Sequence, residues 1–165
     1  MTNTTIPSPT PRFPYALMVG FYAGLIWGTL RIFSYTLGFT QVVPGFLVEP
    51  FFLHHFLLGY GGIGLELISF TLLSFVASIL YMILFSRKIG PWPGILYGIV
   101  WFVGLYLVVG PFAGLLPPLG IIAWNSLWSD GCIFLLWGVF IGYSISFEFT
   151  DERAHKKRKS LLNLQ

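Results

Sequence analysis

Six ionisable residues stand in an otherwise apolar sequence, and with them this chain could do chemistry: Arg31, Glu49, His54, His55, Glu66 and Asp130. A guanidinium such as that of Arg31 binds carboxylates and anionic headgroups in a charge-assisted fork. Carboxylates and imidazoles move protons near neutral pH. Together the six describe a small polar ligand site. The adjacent histidines also raise a metal centre, but neighbours on a helix point about 100° apart and a third ligand could come only from Glu49, Glu66 or Asp130. Histidines in a membrane interface are the simpler reading, and no metal or cofactor is assigned. The chain has no Ser-His-Asp order, HExxH, phosphate loop or paired-cysteine motif, so no catalytic residue is named and an enzyme would have to rest on the same six groups.

The spacing of these charges defines the elements that must position them. Between Phe13 and Phe147 the six are joined only by Arg87 and Lys88, which leaves uncharged runs at 13–30, 67–86, 89–129 and 131–147. A transmembrane helix needs roughly 20 apolar residues, and the 89–129 run is about twice that length. The chain has 165 residues, of which 56% are apolar, 19% aromatic and 9% charged. Water-soluble domains carry about a quarter charged residues, so the solvent here is lipid. The fold class is therefore all-α, a polytopic membrane protein with four helices at about 14–35, 64–85, 92–109 and 130–147. Residues 1–13 read as an N-terminal tail and 148–165 as a C-terminal one. The apolar run after Arg12 is longer than a signal-peptide core and ends without a small-residue cleavage site, so it reads as a retained first helix.

Lys and Arg mark cytoplasmic segments. Here they fall in the N-terminal tail (Arg12), in the turn Arg87-Lys88, and in the C-terminal tail (Arg153, Lys156, Lys157, Arg158 and Lys159). Four crossings with both termini cytoplasmic satisfy that bias. The basic tail attracts anionic lipid at the membrane surface. Its charge is not spread over a face, and nucleic acid is not among the expected partners. Those partners are membrane lipids, a second copy of the chain, or another membrane protein. Cys132, the single cysteine, reads as a small packing residue.

The two outer connections, 36–63 and 110–129, are long, rich in Pro and Gly, and still apolar. Irregular backbone exposed to lipid leaves amides unsatisfied. These segments therefore either cap the bundle in the interface, with Trp124 and Trp128 at headgroup level, or re-enter it; capping is the preferred reading. Gly20, Gly24 and Gly28 share a helix face, as do Gly90, Gly94 and Gly98, and Gly138 with Gly142. Small residues four apart let backbones approach where lipid supplies no hydrophobic drive, so these are helix-packing residues. Gly20-Phe-Tyr-Ala-Gly24-Leu-Ile-Trp27 matches Gly94-Ile-Leu-Tyr-Gly98-Ile-Val-Trp101, and the same offset carries Pro44 onto Pro118. The match is either a parallel duplication of two helix-loop-helix units or a coincidence in a chain with 19 glycines.

Counting along the helices decides what the charges do. Arg31 lies about 24 Å and Glu66 about 28 Å from the cytoplasmic ends of their helices at 1.5 Å per residue. Both fall in the outer third of the membrane. An Arg31–Glu66 ion pair that orients the first hairpin is the preferred reading. A polar pocket open to the outside is the other.

With the segments Leu136-Trp137-Gly138-Val139-Phe140-Ile141-Gly142-Tyr143-Ser144-Ile145, Glu148-Phe149-Thr150-Asp151-Glu152-Arg153 and Gly90-Pro91-Trp92-Pro93-Gly94-Ile95-Leu96-Tyr97-Gly98, the chain resembles the YqhR family of small integral membrane proteins from Bacillus and related Gram-positive bacteria. The resemblance implies a multi-helix bundle in a bacterial plasma membrane. It transfers no catalytic or binding residue. Three function classes follow: a structural or accessory membrane protein acting through helix and lipid contacts; a small transporter, channel or lipid-binding protein using the cluster around Arg31 and Glu66; and a membrane enzyme at the outer face. The first is preferred.

Overall fold

The computed structural model describes residues 11–52, 54–85, 90–116 and 122–162, and the side chains of all of these except 54 and 151–162. Arg87 and Lys88, Pro118, and the side chains of His54, Arg153, Lys156, Lys157, Arg158 and Lys159 thus lie outside the described residues. The described part is helical, with no strand. Four helices are long and apolar enough to cross a membrane. We number them α1 (Arg12–Thr36), α2 (Tyr60–Phe85), α3 (Trp92–Ala113) and α4 (Trp124–Leu162).

Local chemistry sets most of the ends. Pro11 precedes α1, and Pro14 sits in its first turn, where an amide would be unpaired anyway. α2 begins before the 64–85 span read from the apolar run, because the turn at Gly59 admits Tyr60 to Ile63 into the helix. α4 departs furthest from the sequence reading. It starts at Trp124, with the Ala123 carbonyl accepting from the Ser126 and Leu127 amides, so Asp130 stands in its second turn instead of at its start. At the other end its backbone stays helical to Leu162, through the stretch read as a tail, because no Gly or Pro occurs between Gly142 and Leu162 to stop it.

α1 lies antiparallel along α2, and α3 along α4; α4 also rests against α1 and α2. Glycines make both seams. A Cβ at Gly20 would stand 2.6 Å from Ser78 Oγ and 2.8 Å from the Ser74 carbonyl, and one at Gly24 would run into Thr71. Across the second seam Gly94 meets the Gly138 carbonyl and Val139, Gly98 meets Phe134 and Leu135, and Gly142 meets Gly94. The second hairpin is closed at a shorter sequence separation than the first. Gly28 is looser, its nearest neighbour being Leu67 Cδ2 at 3.4 Å.

Gly90 departs from the packing assignment. It precedes α3 with φ of 111°, and a Cβ there would meet nothing within 4 Å. It is used for a backbone conformation that side chains disfavour, not for close approach. Cys132 also departs from its assignment. It is exposed on α4, with Ile133 and Phe134 taking the buried positions beside it.

The core between the seams is aromatic: Phe70, Tyr81, Tyr97, Phe134 and Trp137 are buried against one another. Polar tips in it are paired within the bundle. Trp137 Nε1 donates to Ser74 Oγ at 2.9 Å, and the Tyr97 hydroxyl donates to the Ala77 carbonyl at 2.7 Å. In lipid such bonds, with the glycine seams, take the place of a hydrophobic drive.

A buried four-helix polar cluster as the candidate functional site

Three of the six sequence candidates meet, one from each of three helices. Arg31 of α1 donates from Nε to Glu66 Oε1 of α2 at 2.8 Å, and its Nη1 lies 3.5 Å from Asp130 Oδ1 of α4. Counted along the helices, the three stand within a few turns of the ends that carry the long connections. All are buried: Arg31 is 2% exposed, and Glu66 and Asp130 are fully enclosed.

The fourth helix enters through a residue with no charge. Tyr106 of α3 accepts from Arg31 Nη1 at 2.9 Å and donates to Asp130 Oδ2 at 2.7 Å. It lies in a π-helical stretch, Gly104–Val109, set inside α3. Such π-helical turns occur mostly as single-turn bulges inside α-helices, frequently at functional sites. Every helix of the bundle thus contributes one side chain to one polar cluster.

The connection between α1 and α2 closes the cluster. Thr40 Oγ1 donates to Asp130 Oδ2 at 2.8 Å, and the Gly45 amide donates to Glu66 Oε2 at 2.6 Å. Gly45 adopts φ of 81°, which favours glycine, immediately before the 3₁₀ helix Phe46–Phe51. The ring of Phe46 then stands 4.4 Å from the Arg31 guanidinium carbon, a cation–π contact with the ring fully buried. The strap 40–46 is pinned further by the Gln41 amide donating to Ser126 Oγ at 2.9 Å. The connection therefore folds back onto the bundle, with its own Val42, Val43 and Leu57 buried.

The remaining candidates are elsewhere. Glu49 is half-buried on the 3₁₀ helix. His55 is exposed on the single turn His54–Leu57, and His54 falls outside the described side chains. Among the described residues no group of three His, Cys, Asp or Glu is placed to hold a metal ion. A cavity of about 210 Å³ opens nearby, lined by Ile32, Thr36, Pro44, Leu57 and Ile63 among others, but its lining includes no member of the cluster.

Sequence reasoning misses Tyr106, Thr40, Gly45 and Phe46. Three have no charge to mark them in an apolar run, and the fourth contributes only its backbone amide. The one signal for Tyr106 is a hydroxyl deep in the 89–129 run, which needs a partner when it is buried.

The residues that build this bundle are those of a known family. Residues 11–160 match the family model described as conserved membrane protein YqhR. The chain belongs to the YqhR family. It is 30% identical over 142 residues to the uncharacterized protein YqhR of Bacillus subtilis strain 168, covering 86% of this chain and 80% of that one. No solved structure matches at a significant level. The match spans α1 to α4 and all the cluster residues, so the site lies within the family's common extent.

The role of Tyr106 is open to a direct check. Tyr106→Phe keeps the ring and removes the hydroxyl, so Asp130 loses a donor and Arg31 an acceptor in a buried site. Stability should fall by about 1–3 kcal/mol, the cost of leaving buried polar partners unsatisfied. Thermal unfolding in detergent reads it; an unchanged midpoint would mean that the hydroxyl bridges nothing of consequence.

Proposed function

We propose that this member of the YqhR family is a structural or accessory protein of the bacterial plasma membrane, acting through helix and lipid contacts, with both termini cytoplasmic. The observation that carries this reading is the closure of the Arg31 cluster. The group best suited to hold an anionic solute is 2% exposed, bonded to Glu66 and Tyr106, and faced by Phe46. A solute site accessible from outside would leave the guanidinium exposed. What the bundle presents outward is apolar instead: Phe21, Ile68, Leu72, Val76, Val100 and Leu136 are exposed large side chains on the four helices. The excess of Lys and Arg in the terminal segments supports the cytoplasmic placement of both ends.

The test is photocrosslinking in native membranes from the lipid-facing positions Val76, Val100 and Leu136, with impermeant labelling of single cysteines placed at each terminus. An accessory protein gives a discrete protein adduct from one helix face, either with a second copy or with another membrane protein, and its termini are labelled only in inverted vesicles. Adducts with lipid alone from all three positions would count against the reading. A small transporter, channel or lipid-binding protein is the second reading, favoured by one feature, the buried Oδ1 of Asp130, which accepts no hydrogen bond.

A further inference from the structure

Among the described residues the cluster is one positive charge short. Arg31 on α1 supplies a single cation, whereas Glu66 on α2 and Asp130 on α4 are each anionic when ionised. Tyr106 on α3 and Thr40 and Gly45 on the strap contribute neutral donors. Among the described residues these are the groups seen bonded to Asp130 or to its partners. The deficit also has an address. Glu66 is satisfied at both oxygens, by Arg31 and by the Gly45 amide. Asp130 receives two hydrogen bonds on Oδ2 and none on Oδ1, which is fully buried and 3.5 Å from Arg31 Nη1. A buried carboxylate oxygen that accepts no hydrogen bond, in a cluster with excess negative charge, is costly in a low-dielectric interior.

We propose that Asp130 Oδ1 binds one monovalent cation, a proton or an alkali ion, and that this bound charge neutralises the four-helix cluster. The charge must be single, since a divalent ion would overcompensate the deficit and stand against Arg31. It must also be small, because Oδ1 is fully buried and the neighbouring cavity is lined by residues outside the cluster. Entry is from the end of the bundle that carries the connections, beneath the strap whose Thr40 already bonds the same carboxylate. The inference does not depend on the accessory role. A cation-linked bundle and a cation-free one could both serve it.

The experiment uses the full chain in nanodiscs of neutral phosphatidylcholine, with the wild type compared with Asp130→Asn, which keeps the shape and removes the excess charge. Unfolding midpoints are measured in sodium, potassium and N-methylglucamine chlorides at one ionic strength, across a pH series. An alkali-ion site gives a saturable rise in midpoint with sodium or potassium in the wild type, which the Asn variant lacks. A proton site gives no response to cation identity but a pH dependence that differs between the two proteins by one bound proton. Identical responses of the two proteins in every arm overturn the proposal. If Asp130→Asn does not fold, the wild type alone decides it: radiolabelled sodium or potassium binding at one per chain, or the infrared band of a protonated carboxyl, supports the site, and the lack of all three overturns it.

Discussion

Arg31→Ala should lower the stability of the bundle by about 3–5 kcal/mol, the range for removing one partner of a buried ion pair. The loss exceeds the sum of the vanished contacts because two carboxylates, Glu66 and Asp130, then stand in a dry interior without their counter-charge. Tyr106 and Thr40 would still donate to Asp130, and the Gly45 amide to Glu66, but neutral donors do not balance charge. A comparison separates desolvation from packing. The triple variant Arg31→Met, Glu66→Gln, Asp130→Asn removes every formal charge at nearly constant volume and should recover most of the loss, as replaced buried pairs do elsewhere. Unfolding by denaturant in detergent micelles measures both. If the triple variant were as unstable as Arg31→Ala, the contacts themselves, and not the unpaired charge, would be what holds the helices.

Gly138→Val should separate α3 from α4 and cost at least the 1–3 kcal/mol typical of overpacking. What a side chain at Gly138 would meet is backbone, at Gly98 and at the Gly94 carbonyl, 2.7 Å from the new Cβ. Backbone cannot step aside as a flexible side chain can, so the helices themselves must part. That would uncover Trp137 and Phe134, which are fully buried on the same helix. Gly28→Ala provides the contrast, since its Cβ would meet the end of Leu67 at an ordinary 3.4 Å. It should change stability by no more than about 0.5 kcal/mol. Both variants can be followed by thermal unfolding and by crosslinking of cysteine pairs across the α3–α4 seam. Equal tolerance at the two positions would mean that the seam is not set by close backbone approach.

Several of these residues could be named from the sequence, and the reasons differ. Charge is so rare in an apolar chain that Arg31, Glu66 and Asp130 announce themselves, and counting 1.5 Å per residue puts the first two at similar depth. Glycines four apart likewise mark the seams of α1, α3 and α4, because a helix fixes which residues share a face. The same logic fails at Gly90, where four-residue spacing continues past the start of the helix that gives the spacing meaning.

Read one segment at a time, the chain establishes a four-helix membrane bundle, where its apolar runs lie, and that Arg31 and Glu66 stand at similar depth, because the length of apolar runs and the cost of charge in lipid are local properties. The tertiary structure alone decided that Asp130 joins Arg31 and Glu66 instead of starting a helix, that Tyr106 bridges them, and that the strap 40–46 covers all four. Those outcomes depend on which helix packs against which, on a π-helical stretch within α3 and on a left-handed glycine in a connection. No local pattern carries that information, since hydroxyls and backbone amides acquire a role here only when separate helices bring a charge within reach.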